Sequence, residues 1–337
     1  MAPPQLPELA VHLSNHGSAR EVVRLATRAE HVGVPTVWLS EDLYYRGALT
    51  TAAAVAASTS DIVIGFGVIA PQVRHSVALA METRTLLDLA PGRIVLGLGA
   101  GVVERTRLVG KGEGAPLTVV REEVEAVRTL LAGEALELEG VVHTSAGVRL
   151  TGEPPSEVPP VYVAAVGPKA LAQAGRMADG VLLTMMCARP HAAWAAEQVR
   201  AGAEQAGRAT PPVAAYLPIA VDDDGPTARR AMKAMIASFA ARWADLEFLS
   251  SLFTRWSDLD PERLQSLKAD VAAGGDGVGH VSDSVLDDFA VAGTPAECRE
   301  GLARFRDAGV THAALDAGAA PGAFDALLDR WPELVGD

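Results

Sequence analysis

Cysteine is almost missing from this chain: Cys187 and Cys298 are the only two in 337 residues. More than a hundred positions apart, they form neither a disulfide framework nor a metal-ligand spacing, so both are expected to be reduced and structural. Basic clusters are missing too. With a formal net charge of -13, the chain repels phosphate backbones and anionic membranes, so nucleic acid and membrane partners are excluded and a small-molecule substrate is expected. No apolar run is long enough to span a bilayer, and Met1 to Glu8 holds three prolines but no signal pattern, which predicts a cytoplasmic chain.

Several chemical signatures are absent as well. There is no G-x-S-x-G elbow, and the nearest cation to Cys187 in sequence is Arg189, so covalent catalysis has no support. Asp222-Asp223-Asp224-Gly225-Pro226 lacks the alternating acids of a calcium loop and reads as a solvated turn capping the next helix. His16, His75 and His143 show no convergent spacing, and no metal site is expected. Gly97-Leu98-Gly99-Ala100-Gly101 lacks the third glycine spacing of the dinucleotide fingerprint, which sets the NAD reading aside. Lys111, Lys169, Lys233 and Lys268 all fall outside the strands, which argues against a Schiff-base enzyme on the same scaffold.

What the chain does have is rhythm. It is 49% apolar, and short apolar runs alternate with longer, Ala-rich amphipathic stretches, as parallel βαβ units require. Eight strands are predicted at Leu9 to Ser14, Thr36 to Ser40, Ile62 to Gly67, Ile94 to Leu98, Val161 to Ala165, Gly180 to Thr184, Val213 to Val221 and Thr311 to Asp316. Helices are predicted between them, with Ser18 and Glu21 as a capping box, Gly33 and Gly309 at left-handed helix ends, and Pro168 in a first turn. The expected fold is a single α/β domain over residues 1–337, a (β/α)8 TIM barrel of the kind that needs about 250 residues. Insertions are placed after strands 4 and 7. Residues 133–160 read as a hairpin within Glu134 to Arg149 followed by an extended proline-rich segment. Residues 244–292 contain the amphipathic stretches Trp243 to Trp256 and Glu262 to Val271.

Active sites of such barrels lie at the C-terminal strand ends, and here those ends are small: Gly65 and Gly67, then Gly97 and Gly99, then Ala164 and Ala165. Alternation puts each glycine pair on one face, which leaves a shelf where a planar ring can lie, although glycine there also relieves crowding. Ala165-Val166-Gly167-Pro168-Lys169 joins a strand to a helix through a glycine turn, a suitable place for a phosphate. Ser40-Glu41-Asp42 follows the second strand. Glu41 reads either as a group facing a cofactor or substrate or as a solvated carboxylate, and Asp42 either as a second such group or, by preference, as a local cap. His12 points either toward the shelf or into a satisfied core. Glu104 is a second rim acid or an ion-pair partner of Arg105 and Arg107.

Taken in order, Val37 to Asp42, Ile64 to Pro71, Gly92 to Gly101, Val161 to Gly180 and Ala292 to Pro295 resemble the bacterial luciferase-like flavin or F420-dependent oxidoreductases. Within them, the chain looks most like the methylenetetrahydromethanopterin reductases. The resemblance covers nearly the whole chain and weakens between about residues 230 and 285. It implies a (β/α)8 fold, a ring on the strand ends, a non-proline cis peptide at Gly67-Val68, a phosphate site at Ala164 to Gly167, and a homodimer. It places cofactor contacts at Gly67, Val68, Ala164, Ala165, Val166 and Gly167, to which the strand-end reading adds Ser40 and Gly99, with Glu41 and His12 as its catalytic candidates. Many members have an Asp-His pair where this chain has Glu41-Asp42, and His12 stands where the reductases tend to have an acid, so the proton donor stays open. The implied activity is hydride transfer between the deazaflavin C5 of F420 and a small organic substrate. FMN-dependent monooxygenation and non-catalytic flavin binding are the alternatives.

Overall fold

The computed structural model describes residues 5–112 and 114–336; the first half of the Met1 to Glu8 stretch lies outside the described residues. Its strands are β1 (Glu8–Leu13), β2 (Thr36–Leu39), β3 (Val63–Phe66), β4 (Ile94–Leu98), β5 (Leu136–Glu139), β6 (Thr144–Val148), β7 (Val161–Ala164), β8 (Gly180–Leu183), β9 (Val213–Val221), β10 (Val291–Gly293) and β11 (His312–Asp316). The sheet order β10-β9-β11-β1-β2-β3-β4-β7-β8, closed by a β9–β8 pairing, is a parallel (β/α)8 barrel. All eight predicted strands are its staves.

The ninth strand, β10, was not expected. It exists because β9 is long enough to be shared: Ala214 to Pro218 pair with β11, while Ile219 to Val221 pair with β10. β5 and β6 form the predicted hairpin as a separate antiparallel pair. No helix among the described residues is long and apolar enough to cross a membrane.

The chain divides into two compact units. The larger comprises Val11–Leu182 and Gln198–Pro211. In it the register runs Val37↔Ile64 from β2 to β3, Ile64↔Ile94 from β3 to β4, and Leu98↔Val163 from β4 to β7. The other unit holds the N-terminal segment up to Ala10, Leu183–Glu197 and the chain from Pro212 onward. There the 244–292 region makes its own apolar cluster, in which Phe253, Leu264, Leu267 and Phe289 are packed with Ile236 and Ala240 of helix Gly225–Trp243. The predicted stretch Trp243 to Trp256 breaks in two, because helix Gly225–Trp243 ends there and helix Glu247–Thr254 starts afresh.

Helix ends follow the expected chemistry. Ser18 accepts from the Glu21 amide, and the Glu21 carboxylate also receives Arg24 at 2.6 Å. A box with both halves in place forms at Thr294 and Glu297. Gly33 and Gly309 adopt positive φ, as left-handed helix ends need. Two glycines set a helix-helix contact: a Cβ on Gly175 would lie 2.2 Å from Val199 O, and one on Gly202 would lie 2.2 Å from Ala172 O. Helix Pro168–Met177 and the Gln198–Gln205 end of helix Arg189–Gln205 therefore touch backbone to backbone.

One carboxylate is buried in a helix pair. Glu123, on the inner face of helix Pro116–Leu131, is 2% exposed and accepts a 2.6 Å bond from Ser76 Oγ at the start of helix Ser76–Leu89. Its Oε1 has no partner among the described residues. Burial pushes its pKa up to about 7, against the Ser76 bond that pulls it down. A raised carboxyl pKa means that stability is greatest below the unfolded-state value near 4.5 and falls as pH rises toward 7, by about 3 kcal/mol in all. Thermal midpoints measured across this window should therefore fall with pH in the native chain. In Glu123→Gln that component should vanish; an unchanged slope would contradict the assignment.

Candidate active site

The C-terminal ends of β3, β4 and β7 in the larger unit define the site. After β3, Gly67 N still donates to Leu39 O at 2.9 Å, and the Gly67-Val68 peptide is cis. The chain then rejoins β4: Ile69 N donates to Gly97 O at 2.9 Å and Gly99 N to Ile69 O at 3.2 Å. This hooked path lays Val68 over the end of β4. A Cβ added to Gly99 would lie 2.8 Å from Val68 Cγ2 and 2.9 Å from Ala164 Cβ. Val68, Gly99 and Ala164 thus meet as a continuous floor, with Gly67, Val68 and Ala164 partly exposed.

The sequence reading placed Gly65 and Gly97 on the same open shelf, and this is corrected. The Trp38 ring covers Gly65, where a Cβ would fall 2.6 Å from it, and Phe66 O stands 1.7 Å from a Cβ on Gly97. These two glycines relieve crowding inside the barrel. Trp38 in turn packs against Tyr162 with ring centroids 5.5 Å apart, and the Tyr162 ring fills the space above Gly180. Both rings seal the barrel beneath the floor.

Past β7, Ala165 is buried and donates its amide to Leu182 O at 3.1 Å, and Val166 is partly exposed. Gly167 is the N-cap of helix Pro168–Met177, exposed and without a side chain to cap the first amides, and nothing lies within 4 Å of an added Cβ. Open helix N-termini favour anions through their free N–H groups and their partial positive charge.

On the opposite side, the loop after β2 is fastened by Asn15, a residue the sequence reading passed over. Asn15 is 6% exposed; its Nδ2 donates to Arg46 O at 2.7 Å and Asp42 O at 3.1 Å, and its Oδ1 accepts from Asp42 N at 3.3 Å. Its own amide donates to Ser40 Oγ at 3.3 Å. Ser40 is thus held beside the strand end. His12 is buried on β1 in register with Trp38.

Glu41 is occupied: Arg74 Nη1 donates to its Oε2 at 2.8 Å and Arg74 Nη2 to its Oε1 at 3.2 Å, while Ala48 N donates to Oε1 at 3.3 Å. Asp42 was expected to cap local structure. It instead pairs with His16 at 2.9 Å and Arg105 at 3.2 Å, so Arg105 turns to Asp42. Tyr44 closes the ring of contacts by donating to Arg105 O at 2.6 Å. Outside this region, Cys187 Sγ lies 3.3 Å from His191 Nδ1 in a fully buried turn, and burial holds the thiol well above its ordinary pKa. The polar neighbour that sequence spacing did not supply is this histidine, four residues on.

A closed (β/α)8 barrel with a floor of small residues at three strand ends, an open helix N-terminus and a charged rim is the arrangement in which barrel enzymes carry their ligand sites. The family model for luciferase-like monooxygenases matches residues 5–312, and the chain belongs to that family. Among relatives, a 5,10-methylenetetrahydromethanopterin reductase from Methanolobus tindarius is 29% identical over 321 residues, covering 94% of this chain and 96% of that protein. An F420-dependent glucose-6-phosphate dehydrogenase from Beutenbergia cavernae is 32% identical over 177 residues, 49% of this chain and 52% of that one. The solved structure of the coenzyme F420 dependent tetrahydromethanopterin reductase from Methanopyrus kandleri superposes with a TM-score of 0.85 at 23% identity, covering 98% of this chain and 99% of that one, which establishes the shared fold.

Asn15→Ala removes two donors and one acceptor from the 40–47 loop, a loss of about 1–3 kcal/mol. Hydrogen exchange should quicken most between Ser40 and Gly47. Unaltered exchange in that loop would show that Asn15 does not fasten it.

Proposed function

We propose that this protein is an F420-dependent oxidoreductase that passes a hydride between the deazaflavin and a small organic substrate. The observation that carries this reading is the floor where Val68, Gly99 and Ala164 meet at the strand ends, with Val68 and Ala164 partly exposed. Relatives whose names include F420 give the choice of ring its support.

In this reading, Gly67, Val68, Gly99, Ala164 and Ala165 lie beneath the ring, Ser40 meets its edge, and Val166 and Gly167 receive the phosphate. Bound there, the deazaflavin supplies hydride chemistry at C5. The chain's own contribution is orientation and the exclusion of water from one face of the ring. Glu41 keeps both oxygens on Arg74 and Ala48, so its part is to position the rim, leaving His12 as the candidate for holding or releasing a proton. The same reading takes the chain as one barrel domain with insertions at 133–160 and 244–292, acting in the cytoplasm as a homodimer.

Equilibrium titration with F420 and with FMN, followed by fluorescence, tests the proposal. F420 should bind with a Kd below the tens of micromolar and more tightly than FMN. Tighter FMN binding would favour the monooxygenase alternative, binding without turnover of any reductant would favour a carrier, and binding of neither would sink the proposal. Separately, Ala164→Phe should place a side chain on the floor and weaken F420 at least about tenfold in a folded variant. Undiminished affinity would mean the ring lies elsewhere.

A further inference from the structure

The barrel end that carries the strand N-termini has a site of its own, wholly within the larger unit. An open cavity of about 600 Å3 lies there, beneath the starts of β7 and β8. Three guanidiniums, of Arg128, Arg176 and Arg208, line it against the single carboxylate of Asp179. In a chain with a net charge of -13, such a local excess of positive charge runs against the background.

The donors of each arginine show how much of that charge is already met. Arg128 gives Nη2 to Asp179 Oδ2 at 2.6 Å and Nη1 to Met177 O at 2.8 Å, and the same Oδ2 accepts Val161 N at 2.9 Å. Asp179 is thereby satisfied. Arg208 donates Nη2 to Ala178 O at 3.1 Å and stands 3.7 Å from Asp179 Oδ1, while its Nη1 is buried with no hydrogen-bond partner. Arg176 is exposed and makes only a 3.3 Å bond to Gln205 Oε1, with no ion pair among the described residues. Three positive charges against one negative leave two to be answered. Val158 and Met177 supply apolar wall beside them.

We propose that this cavity binds a phosphate monoester with an apolar body, its dianionic head held by Arg176 and Arg208. Planar guanidinium forks match phosphate oxygens two at a time, which a lysine does not, and the orphaned Arg208 Nη1 is the donor such a head would satisfy. Asp179 keeps the cluster from binding any anion indiscriminately, since an incoming head must approach from the Arg176 side. The proposal is independent of the cofactor reading, because none of its residues belongs to the strand-end floor.

Calorimetric titration with phenyl phosphate should give one saturable site with a Kd on the order of 0.1–1 mM, and phenol should not bind. Arg176→Gln, a change at an exposed side chain that caps nothing, should weaken phenyl phosphate about tenfold or more while leaving F420 titration unchanged. Arg208→Gln should do the same at a lower thermal midpoint, having lost the Ala178 contact. The proposal is overturned if phenyl phosphate fails to saturate below about 10 mM, if phenol binds equally well, or if Arg176→Gln leaves the affinity intact. The last result would move the anion to another surface, such as the helix start at Gly167.

Discussion

The strand-end site depends on how closely the chain leaving β3 can lie against the end of β4. Phe66 O occupies the space a side chain at position 97 would take, and Val68 and Ala164 close from both sides on the space a side chain at 99 would take. With those two positions emptied of atoms, Ile69 can bond Gly97 O and then receive Gly99 N. The hook they form turns Val68 onto the barrel end. Any residue with a Cβ at 97 would push β3 and the hook outward, and the floor would lose its middle before any contact with a ligand was touched.

That constraint also explains what was legible beforehand. The alternation of apolar strands with Ala-rich helices follows from burial on both faces of a parallel sheet, so the eight staves could be read without knowing any contact. The end of β4 was readable because glycines at 97 and 99 are unusual in a strand. What could not be read was which glycines are open. Gly65 and Gly99 look alike in the sequence; one is roofed by Trp38 and the other lies between Val68 and Ala164, and only the three-dimensional path of neighbouring strands separates them. β10 escaped notice for a related reason, since three residues carry no periodicity and it is the excess length of β9 that recruits them.

The rim was the least legible part, because its partners come from segments far apart in the chain. Glu41 meets Arg74 from the stretch after β3, and Asp42 meets Arg105 from the helix after β4. Pairing over such separations leaves no local pattern. Asn15 had a faint one: it is a polar residue two places beyond a buried strand, and all its side-chain bonds go to the chain after β2. A buried amide with both ends satisfied by backbone fixes a loop more firmly than a surface ion pair, whose charges water screens.

Floor and rim are therefore built from different materials, and this bears on what can vary between relatives. The floor is backbone and methyl groups, demanding only that residues stay small, so it tolerates wide divergence without losing its shape. The rim is made of side chains held by specific pairs, and replacing one member changes both the charge and the position of its neighbour. At 29% identity to a reductase over nearly its full length, this chain can keep the floor while rebuilding the rim. Its Glu41–Arg74 and Asp42–Arg105 pairs are rim contacts of this kind, with two carboxylates turned onto arginines from distant segments. The two charges nearest the strand end are spent on fixing the loop, while the imidazole of His12 on β1 and the hydroxyl of Ser40 past β2 are buried beside it.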